Sequence, residues 1–259
     1  MAAISATANA VSATPRPSPR WLSGRLPRHV ARIVRGEIAS WRRARELEPS
    51  IAKVRPLSMV PNESLVDLAE LVQRTLREGI GGAFVECGVW RGGASFLMAD
   101  LLVRAGARDR KVWLFDSFEG HLAPAAIDGK AALDYARNTD DPAYLDNCRA
   151  AVEDVRRSAN ALGLESVTEI VKGWFDDTLP VNKERIGPIA ILRLDCDWYA
   201  SVRRCLETLY DQVSPGGSVV IDDYYSYDGC AIAVHEFLST RRLSHRIEQS
   251  RGVAFFRKV

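Results

Sequence analysis

Acidic residues end two apolar segments in the C-terminal half of the chain. The segment IAILRLDCD ends on Asp195 and Asp197, and the segment SVVIDD ends on Asp222 and Asp223. Carboxylates that lie close together repel one another until one takes up a proton or a cation binds between them. Oxygen ligands without His or Cys favour Mg²⁺. The pattern therefore predicts a divalent-cation site made by Asp195, Asp222 and Asp223.

The same acids have simpler alternative roles. Acid pairs at strand ends also act as helix N-caps or as solvated loop residues. Asp197 is placed to cap a helix that begins near Tyr199, or to stand behind the cation ligands. For the other three acids the cation site is favoured because their strands are predicted neighbours, and neighbouring strands lie about 4.8 Å apart.

A glycine-rich turn follows the first apolar segment of the central region. The sequence FVECGVWRGGAS places Glu86, Gly88 and Gly92 in an E-x-G-x-x-x-G arrangement. Glycine lets the backbone approach a ligand closely, and the next helix offers free N–H groups at its N-terminus. Trp90 stands where the dinucleotide fingerprint G-x-G-x-x-G needs its second glycine, so that fingerprint is absent. A tight strand-to-helix turn without a ligand is the alternative.

Two further segments extend this turn toward a nucleoside site. The segment KVWLFD ends on Asp116, and an acid at this strand end can accept hydrogen bonds from both ribose hydroxyls. The segment VKGW follows the third strand with Gly173 and Trp174, whose indole can flank an adenine ring or pack against a helix. Loops at the carboxyl ends of adjacent parallel strands meet at one edge of the sheet, so we expect them to surround one nucleoside.

Alternating strand and helix patterns must position these loops. Five short apolar segments alternate with helical ones and predict a parallel sheet covered on both faces. The segments HRIEQS and VAFFRKV close the chain as two strands joined at Arg251-Gly252. This layout is typical of the Rossmann-like class I methyltransferases. We therefore predict an α/β fold with a mostly parallel seven-stranded sheet, a C-terminal antiparallel hairpin and helices on both faces.

The chain divides into three predicted parts. Residues 1–35 form an Arg-rich stretch with too few apolar groups to fold alone, which fits a disordered tail or a transit peptide. Residues 36–80 form an N-terminal helical extension, and residues 81–259 form the methyltransferase domain. Within that domain the polar stretch 117–146 is expected to be a lid, in which His121 and Tyr135 are candidates for substrate contact.

Bulk composition narrows the class of function. The formal net charge of +2 gives no electrostatic basis for binding nucleic acid. No segment reaches the roughly 20 apolar residues that a membrane-spanning helix requires. The five cysteines form no C-x-x-C pair, so neither a zinc site nor a disulfide framework is indicated, and a cytoplasmic protein is expected.

Five motifs in order resemble the macrocin O-methyltransferase family. They are FVECGVWRGG, FDSFEG, KGWFDDTLP, LRLDCDWYAS and VSPGGSVVIDDYY, and the resemblance runs from about Met59 to Phe256. It implies methylation of sugar hydroxyls in antibiotic biosynthesis, with S-adenosylmethionine and Mg²⁺. Cys196 and His121 depart from the family pattern, which has glycine and leucine at these positions.

The resemblance also implies roles for individual residues. It implies S-adenosylmethionine contacts from Glu86, Gly88, Asp116 and Ser117, with Gly173 and Trp174 near the adenine, and cation ligation by Asp195, Asp222 and Asp223. Asp195 would also be the general base, and His121 of the lid is a candidate catalytic group. The acceptor would be a small hydroxylated molecule, either a sugar or a glycoside, and a homo-oligomer is expected. Two alternatives stay open: a catechol-type O-methyltransferase and a non-catalytic module that binds S-adenosylmethionine.

Overall fold

The computed structural model describes residues 46–250 and 253–259. The tail predicted for residues 1–35 and most of the helix predicted for residues 36–48 lie outside this part of the chain. Residues 46–54 are helical and form the described part of α1. Leu47, Ile51 and Val54 recur at helical spacing and are all buried, so one face of α1 packs on the domain that follows.

Seven strands form one sheet in the order β3-β2-β1-β4-β5-β7-β6. The strands are β1 (Ala83–Cys87), β2 (Val112–Asp116), β3 (Thr168–Lys172), β4 (Ile189–Leu194), β5 (Val213–Ile221), β6 (Glu248–Ser250) and β7 (Val253–Arg257). The first five pair in parallel, and β7 runs antiparallel to both β5 and β6. The predicted fold is thereby confirmed.

Helices cover both faces of this sheet. On one face α2 (Asn62–Arg77), α3 (Gly93–Arg104) and α5 (Val152–Ala161) share an apolar core with α1. On the other face α6 (Phe175–Ile186), α7 (Tyr199–Leu209) and α8 (Asp228–Thr240) share a second core. Successive residues of a strand point to opposite faces, so Phe84 enters the first core and Val85 the second. None of the helices in the described ranges is long and apolar enough to cross a bilayer.

Two segments differ in detail from the sequence-based expectation. β5 begins at Val213, before the apolar segment SVVIDD of residues 218–223, and includes Pro215 and Gly216. Ile189 pairs with Val213 and Ile191 pairs with Ser218, so five residue steps of β5 lie opposite two steps of β4, an irregularity inside the strand. The stretch 117–146 carries its own helix, α4 (Gly129–Arg137), and is therefore more regular than a plain loop.

Candidate active site

One cavity of about 320 Å³ opens at the carboxyl edge of the parallel strands. Its walls come from the ends of β1 and β4, which are neighbours although β2 and β3 separate them in sequence, and parallel sheets bind ligands at such switch points. The ten residues to which the sequence assigns a catalytic, cofactor or cation role all line this cavity: Glu86, Gly88, Asp116, Ser117, His121, Gly173, Trp174, Asp195, Asp222 and Asp223. The strand order thus brings together loops that are far apart in the chain.

The turn after β1 adopts backbone conformations that favour glycine. Gly88 has a φ of +87° and Gly92 a φ of +93°. A Cβ on Gly88 would overlap the carbonyl oxygen of Asp195, so the turn packs directly on the end of β4. Glu86, only 1% exposed, accepts hydrogen bonds from the Ser95 hydroxyl and from a guanidinium of β4. The turn is therefore fixed between β4 and the start of α3.

Asp116 shapes the same turn from β2. Its Oδ2 accepts hydrogen bonds from the backbone N–H groups of Val89 at 2.7 Å and Trp90 at 2.9 Å, and its Oδ1 accepts one from Phe118 at 2.6 Å. A carboxylate has about four acceptor positions, so one is left for a ligand. The role in binding ribose that the sequence predicts for Asp116 stays a prediction, and the structure adds a role in holding the turn.

A group of three carboxylates lies at the base of the cavity. Oxygens of Asp195, Asp197 and Asp223 all lie within 4.8 Å of one another. The Oδ2 atom of Asp223 is buried and has no hydrogen-bond partner among the described residues. Asp222, which the sequence predicts as the third cation ligand, lies outside this group, and its Oδ1 accepts a hydrogen bond from Arg193 at 2.5 Å. The observed group therefore contains Asp197 where the sequence predicts Asp222.

Asp197 does not cap the helix that follows it, which corrects one of its two expected roles. α7 begins at Tyr199, and the Tyr199 N–H donates to Oδ1 of Asp128 at 2.7 Å. Asp197 itself has a φ of +57°, a left-handed conformation that Asp tolerates better than most residues. Its carboxylate lines the cavity, with Oδ2 3.8 Å from Nε2 of His121. Asp128, which is distant from α7 in the sequence, therefore accepts the hydrogen bond from the first N–H of that helix.

Arg193 is a functional residue that sequence reasoning missed. It lies in β4 and is only 1% exposed. Its guanidinium contacts Glu86 of β1, Asp195 at 2.5 Å and Asp222 at 2.5 Å. A single arginine inside an otherwise apolar strand signals a buried ion pair, because arginine is almost never fully buried without a partner. Arg193 therefore holds one oxygen of Asp195 and one of Asp222 in fixed positions.

Burial and mutual repulsion make the group of three carboxylates costly to ionise. Burial raises the pKa of Asp197 to about 6, although the nearby His121 acts in the opposite direction. Burial, reinforced by the charges of Asp197 and Asp195, raises the pKa of Asp223 well above its ordinary value. For His121, burial lowers the pKa, but the charges of Asp197 and Asp116 and the interaction with Cys148 together outweigh it, and the pKa rises to about 9. A cation placed among the carboxylates would favour their ionised forms.

Four aromatic side chains form one side of the cavity, which we call the aromatic wall: His121, Tyr135, Trp198 and Tyr227. The ring centroids of Trp198 lie 5.2 Å from His121 and 4.8 Å from Tyr227, and Tyr135 lies 6.2 Å from Trp198. Trp198 Nε1 also donates to the carbonyl oxygen of Leu122 at 2.9 Å. These contacts attach the segment after β2 to the start of α7.

Two features of the cavity test whether its residues fit a nucleoside cofactor and a cation. The buried Nε1 of Trp90 and Oδ2 of Asp223 both lack a hydrogen-bond partner in the described part of the chain. Buried polar atoms are satisfied in nearly all native structures, so a ligand or ion is the natural partner of such atoms. The glycines of the turn leave its backbone open to close approach. The residues present therefore fit both groups.

The sheet order and this site define a class I methyltransferase. The macrocin O-methyltransferase (TylF) family matches residues 28–258, and the chain belongs to this family. It is an S-adenosylmethionine-dependent O-methyltransferase, which confirms the enzyme predicted from the sequence and sets aside the non-catalytic alternative.

Relatives and solved structures agree with this assignment. The chain is 36% identical over 209 residues to the 8-demethyl-8-(2,3-dimethoxy-alpha-L-rhamnosyl)-tetracenomycin-C 4'-O-methyltransferase of Streptomyces olivaceus, covering 80% of this chain and 76% of that protein. It is 34% identical to the mycinamicin III 3''-O-methyltransferase of Micromonospora griseorubida, covering 85% and 84%. The structure of the O-methyltransferase NovP superposes with a TM-score of 0.70 at 30% identity, covering 78% and 82%.

Proposed function

We propose that this enzyme methylates a sugar hydroxyl of a glycosylated small molecule, with S-adenosylmethionine as donor and a divalent cation as cofactor. The carboxylate group beside the glycine turn is the observation that carries the proposal. The relatives support the acceptor class, since the Streptomyces olivaceus relative is, by its name, a methyltransferase of a rhamnosyl-bearing tetracenomycin. The acceptor oxygen would form a bond to the methyl carbon as the carbon–sulfur bond of the donor breaks.

The turn after β1 and the end of β2 are proposed to hold the donor. Glu86, Gly88, Asp116 and Ser117 line this side of the cavity, with Gly173 and Trp174 at the end of β3. Trp174 is 36% exposed, which leaves part of its indole accessible to an adenine ring. The position of the donor would then place its methyl group toward the carboxylates.

The cation is proposed to bind Asp195, Asp197 and Asp223. These three offer oxygens within 4.8 Å of one another, and Asp222 lies outside that group. Hard carboxylate ligands favour Mg²⁺. A cation bound there would lower the pKa of an acceptor hydroxyl and so ease the loss of its proton.

Asp197 is proposed to accept the hydroxyl proton. The sequence assigns this role to Asp195, but Oδ2 of Asp195 already accepts a hydrogen bond from Arg193 at 2.5 Å. Oδ2 of Asp197 lies 3.8 Å from Nε2 of His121, and burial raises the pKa of Asp197 to about 6, which makes it a stronger proton acceptor than an ordinary carboxylate. His121 is proposed to balance the charge of Asp197 rather than to act as a base.

The lining of the cavity favours a neutral glycoside over a nucleotide-activated sugar. Among the described residues, no lysine or arginine lines this cavity, while six acids do. A diphosphate would meet mostly like charge there, because the six acids outnumber His121 and the proposed cation, and this costs affinity. The aromatic wall instead offers apolar ring surface, which suits the C–H faces of a sugar. The wall and the nearby carboxylates together suit a sugar with two adjacent oxygens.

Mn²⁺ binding to the protein alone tests the proposed cation site. Electron paramagnetic resonance titration of wild type should show one bound Mn²⁺, and Asp223→Asn should lose at least about tenfold in affinity because the unpartnered carboxylate is gone. Asp222→Asn should keep its affinity within about threefold, since Arg193 and not the cation engages that oxygen. Asp211→Asn, whose carboxylate pairs with Arg241 on the surface, is the matched control.

The outcomes of this titration separate the two ligand sets. If Asp222→Asn loses as much affinity as Asp223→Asn, the ligand set predicted from the sequence is right and the one proposed from the geometry is wrong. Failure of wild type to bind Mn²⁺ would overturn the cation proposal altogether. The catechol-type alternative predicts the same cation site, so acceptor tests with a catechol and a glycoside must accompany it. The homo-oligomeric state and the cytoplasmic location stay predictions.

A further inference from the structure

Residues 57–61 form a side of the cavity that the sequence did not point to. They connect the short helical turn Arg55–Leu57 to α2, and all five line the cavity. Ser58 and Val60 are 9% and 7% exposed, whereas Met59 between them is 42% exposed. The segment is thus anchored through two side chains, and the third is left open. We call residues 57–61 the N-terminal wall.

The N-terminal wall packs on the helix that follows the glycine turn. A Cβ on Gly93, the first residue of α3, would overlap the Cβ of Ser58 and would lie 2.7 Å from the carbonyl oxygen of Leu57. Only a glycine permits this approach. The wall therefore stands directly beside the turn that is proposed to hold S-adenosylmethionine.

The Arg55 side chain holds the N-terminal wall together by hydrogen bonds to backbone carbonyls of the wall. Its Nη1 donates to the carbonyl oxygen of Val60 at 2.5 Å and to Oδ1 of Asn62 at 3.2 Å, and its Nη2 donates to the carbonyl oxygen of Ser58 at 2.6 Å. The two carbonyls flank Met59. A guanidinium can bridge them because its donors form a rigid planar fork, which a lysine lacks.

We infer that Arg55 is a positioning residue for cofactor binding: it holds the N-terminal wall against the glycine turn and so preorganises the donor end of the cavity. This inference rests on the proposed use of that end for S-adenosylmethionine. We call the hydrogen bonds from Arg55 to the two carbonyls the clamp. Without the clamp, the N-terminal wall has to be ordered again at each binding event. Fixing even one backbone residue costs about tenfold in affinity at 25 °C, so loss of the clamp should weaken the cofactor by about that factor.

Calorimetric titration with S-adenosylhomocysteine tests the inference on the full chain. Arg55→Ala should bind it about tenfold more weakly and show an equal rise in KM for S-adenosylmethionine, with kcat at saturating donor and KM for the acceptor within about twofold of wild type. Arg55→Lys should lie between the two because an ammonium cannot bridge both carbonyls in the same way. Arg108→Ala removes an exposed arginine beyond α3 and serves as the matched control.

The results that overturn the inference are distinct from those that overturn the proposed function. An affinity within about twofold of wild type in both Arg55 variants would show that the clamp does not set cofactor binding. A lower kcat with unchanged affinity would contradict it equally. If Arg55→Ala fails to fold, Arg55→Lys alone decides the matter. Failure of wild type to bind S-adenosylhomocysteine would instead refute the proposed donor site.

Discussion

Replacing Gly88 with alanine should displace the end of β4 and, with it, the group of three carboxylates. Gly88 has a φ of +87°, and a Cβ there would overlap the carbonyl oxygen of Asp195 and lie 2.5 Å from its carbonyl carbon. Cβ atoms essentially never come closer than 3.0 Å to a heavy atom of a residue that is not their neighbour in the chain. The Asp195 N–H also donates to the Cys87 carbonyl at 2.8 Å, so the two strands cannot separate there without losing that bond.

The expected magnitude has two parts. A non-glycine residue in a left-handed conformation costs about 1–2 kcal/mol of stability. Relief of the overlap moves the backbone of Asp195 by about 1 Å, and a misplacement of that size costs about 100-fold in rate. We therefore expect Gly88→Ala to lose more than about 2 kcal/mol in the free energy of unfolding and about 100-fold in kcat.

Gly106→Ala is the matched control for this prediction. Gly106 has a φ of +75°, but a Cβ there would meet nothing within 4 Å. This variant should show the strain of about 1–2 kcal/mol in urea unfolding and keep its kcat. Methyl transfer and urea unfolding, measured on both variants, separate strain from displacement. A folded Gly88→Ala enzyme with kcat within about threefold of Gly106→Ala would refute the reasoning.

Three further changes follow from buried charge. Asp116→Asn should weaken S-adenosylhomocysteine binding in calorimetry, because an amide whose oxygen accepts from Val89 and Trp90 turns its NH2 group toward the Phe118 N–H, which then loses its acceptor; unchanged binding would contradict this. Arg193→Met removes the guanidinium partner of the buried Glu86 carboxylate and of the partly buried Asp195 and Asp222 carboxylates, and should cost about 3–5 kcal/mol in urea unfolding; a loss below about 1 kcal/mol would be inconsistent with that network. For Asp100, burial raises the pKa, but hydrogen bonds from a lysine and a serine outweigh it and the pKa lies below its ordinary value of 3.8. The ionised Asp100 therefore stabilises the fold above pH 3.8, and this stabilisation is lost as the pH falls through the folded pKa. The difference in Tm between wild type and Asp100→Asn should be full at pH 7 and should disappear below about pH 4. A difference that does not depend on pH would speak against the ion pair.

The acids of the site were predictable as a group, and their individual roles were not. Carboxylates directly after apolar strands run against the hydrophobic pattern, so Asp195, Asp222 and Asp223 stood out in the sequence. Their orientation depends on backbone detail beyond local pattern: the left-handed conformation of Asp197 turns its carboxylate into the cavity. Asp222 also lines the cavity but lies outside the group of three carboxylates, and its Oδ1 accepts a hydrogen bond from Arg193.

The sheet was predictable because its strands are short, apolar and evenly separated by helices. The partners of Arg193 were not, since they come from three strands that only the strand order brings side by side. The N-terminal wall was not predictable from the sequence for a related reason. Its residues carry no motif of their own, and they reach the cavity only because Gly93 lets Ser58 pack on α3.

The most direct test of the proposed function is methyl transfer followed by mass spectrometry. The enzyme, a demethylated glycoside and S-adenosylmethionine with a deuterated methyl group should give a product labelled on a sugar hydroxyl. The label should disappear in excess EDTA and return when Mg²⁺ is added. Equal labelling in excess EDTA, or labelling of a nucleotide-activated sugar but of no glycoside, would contradict the account.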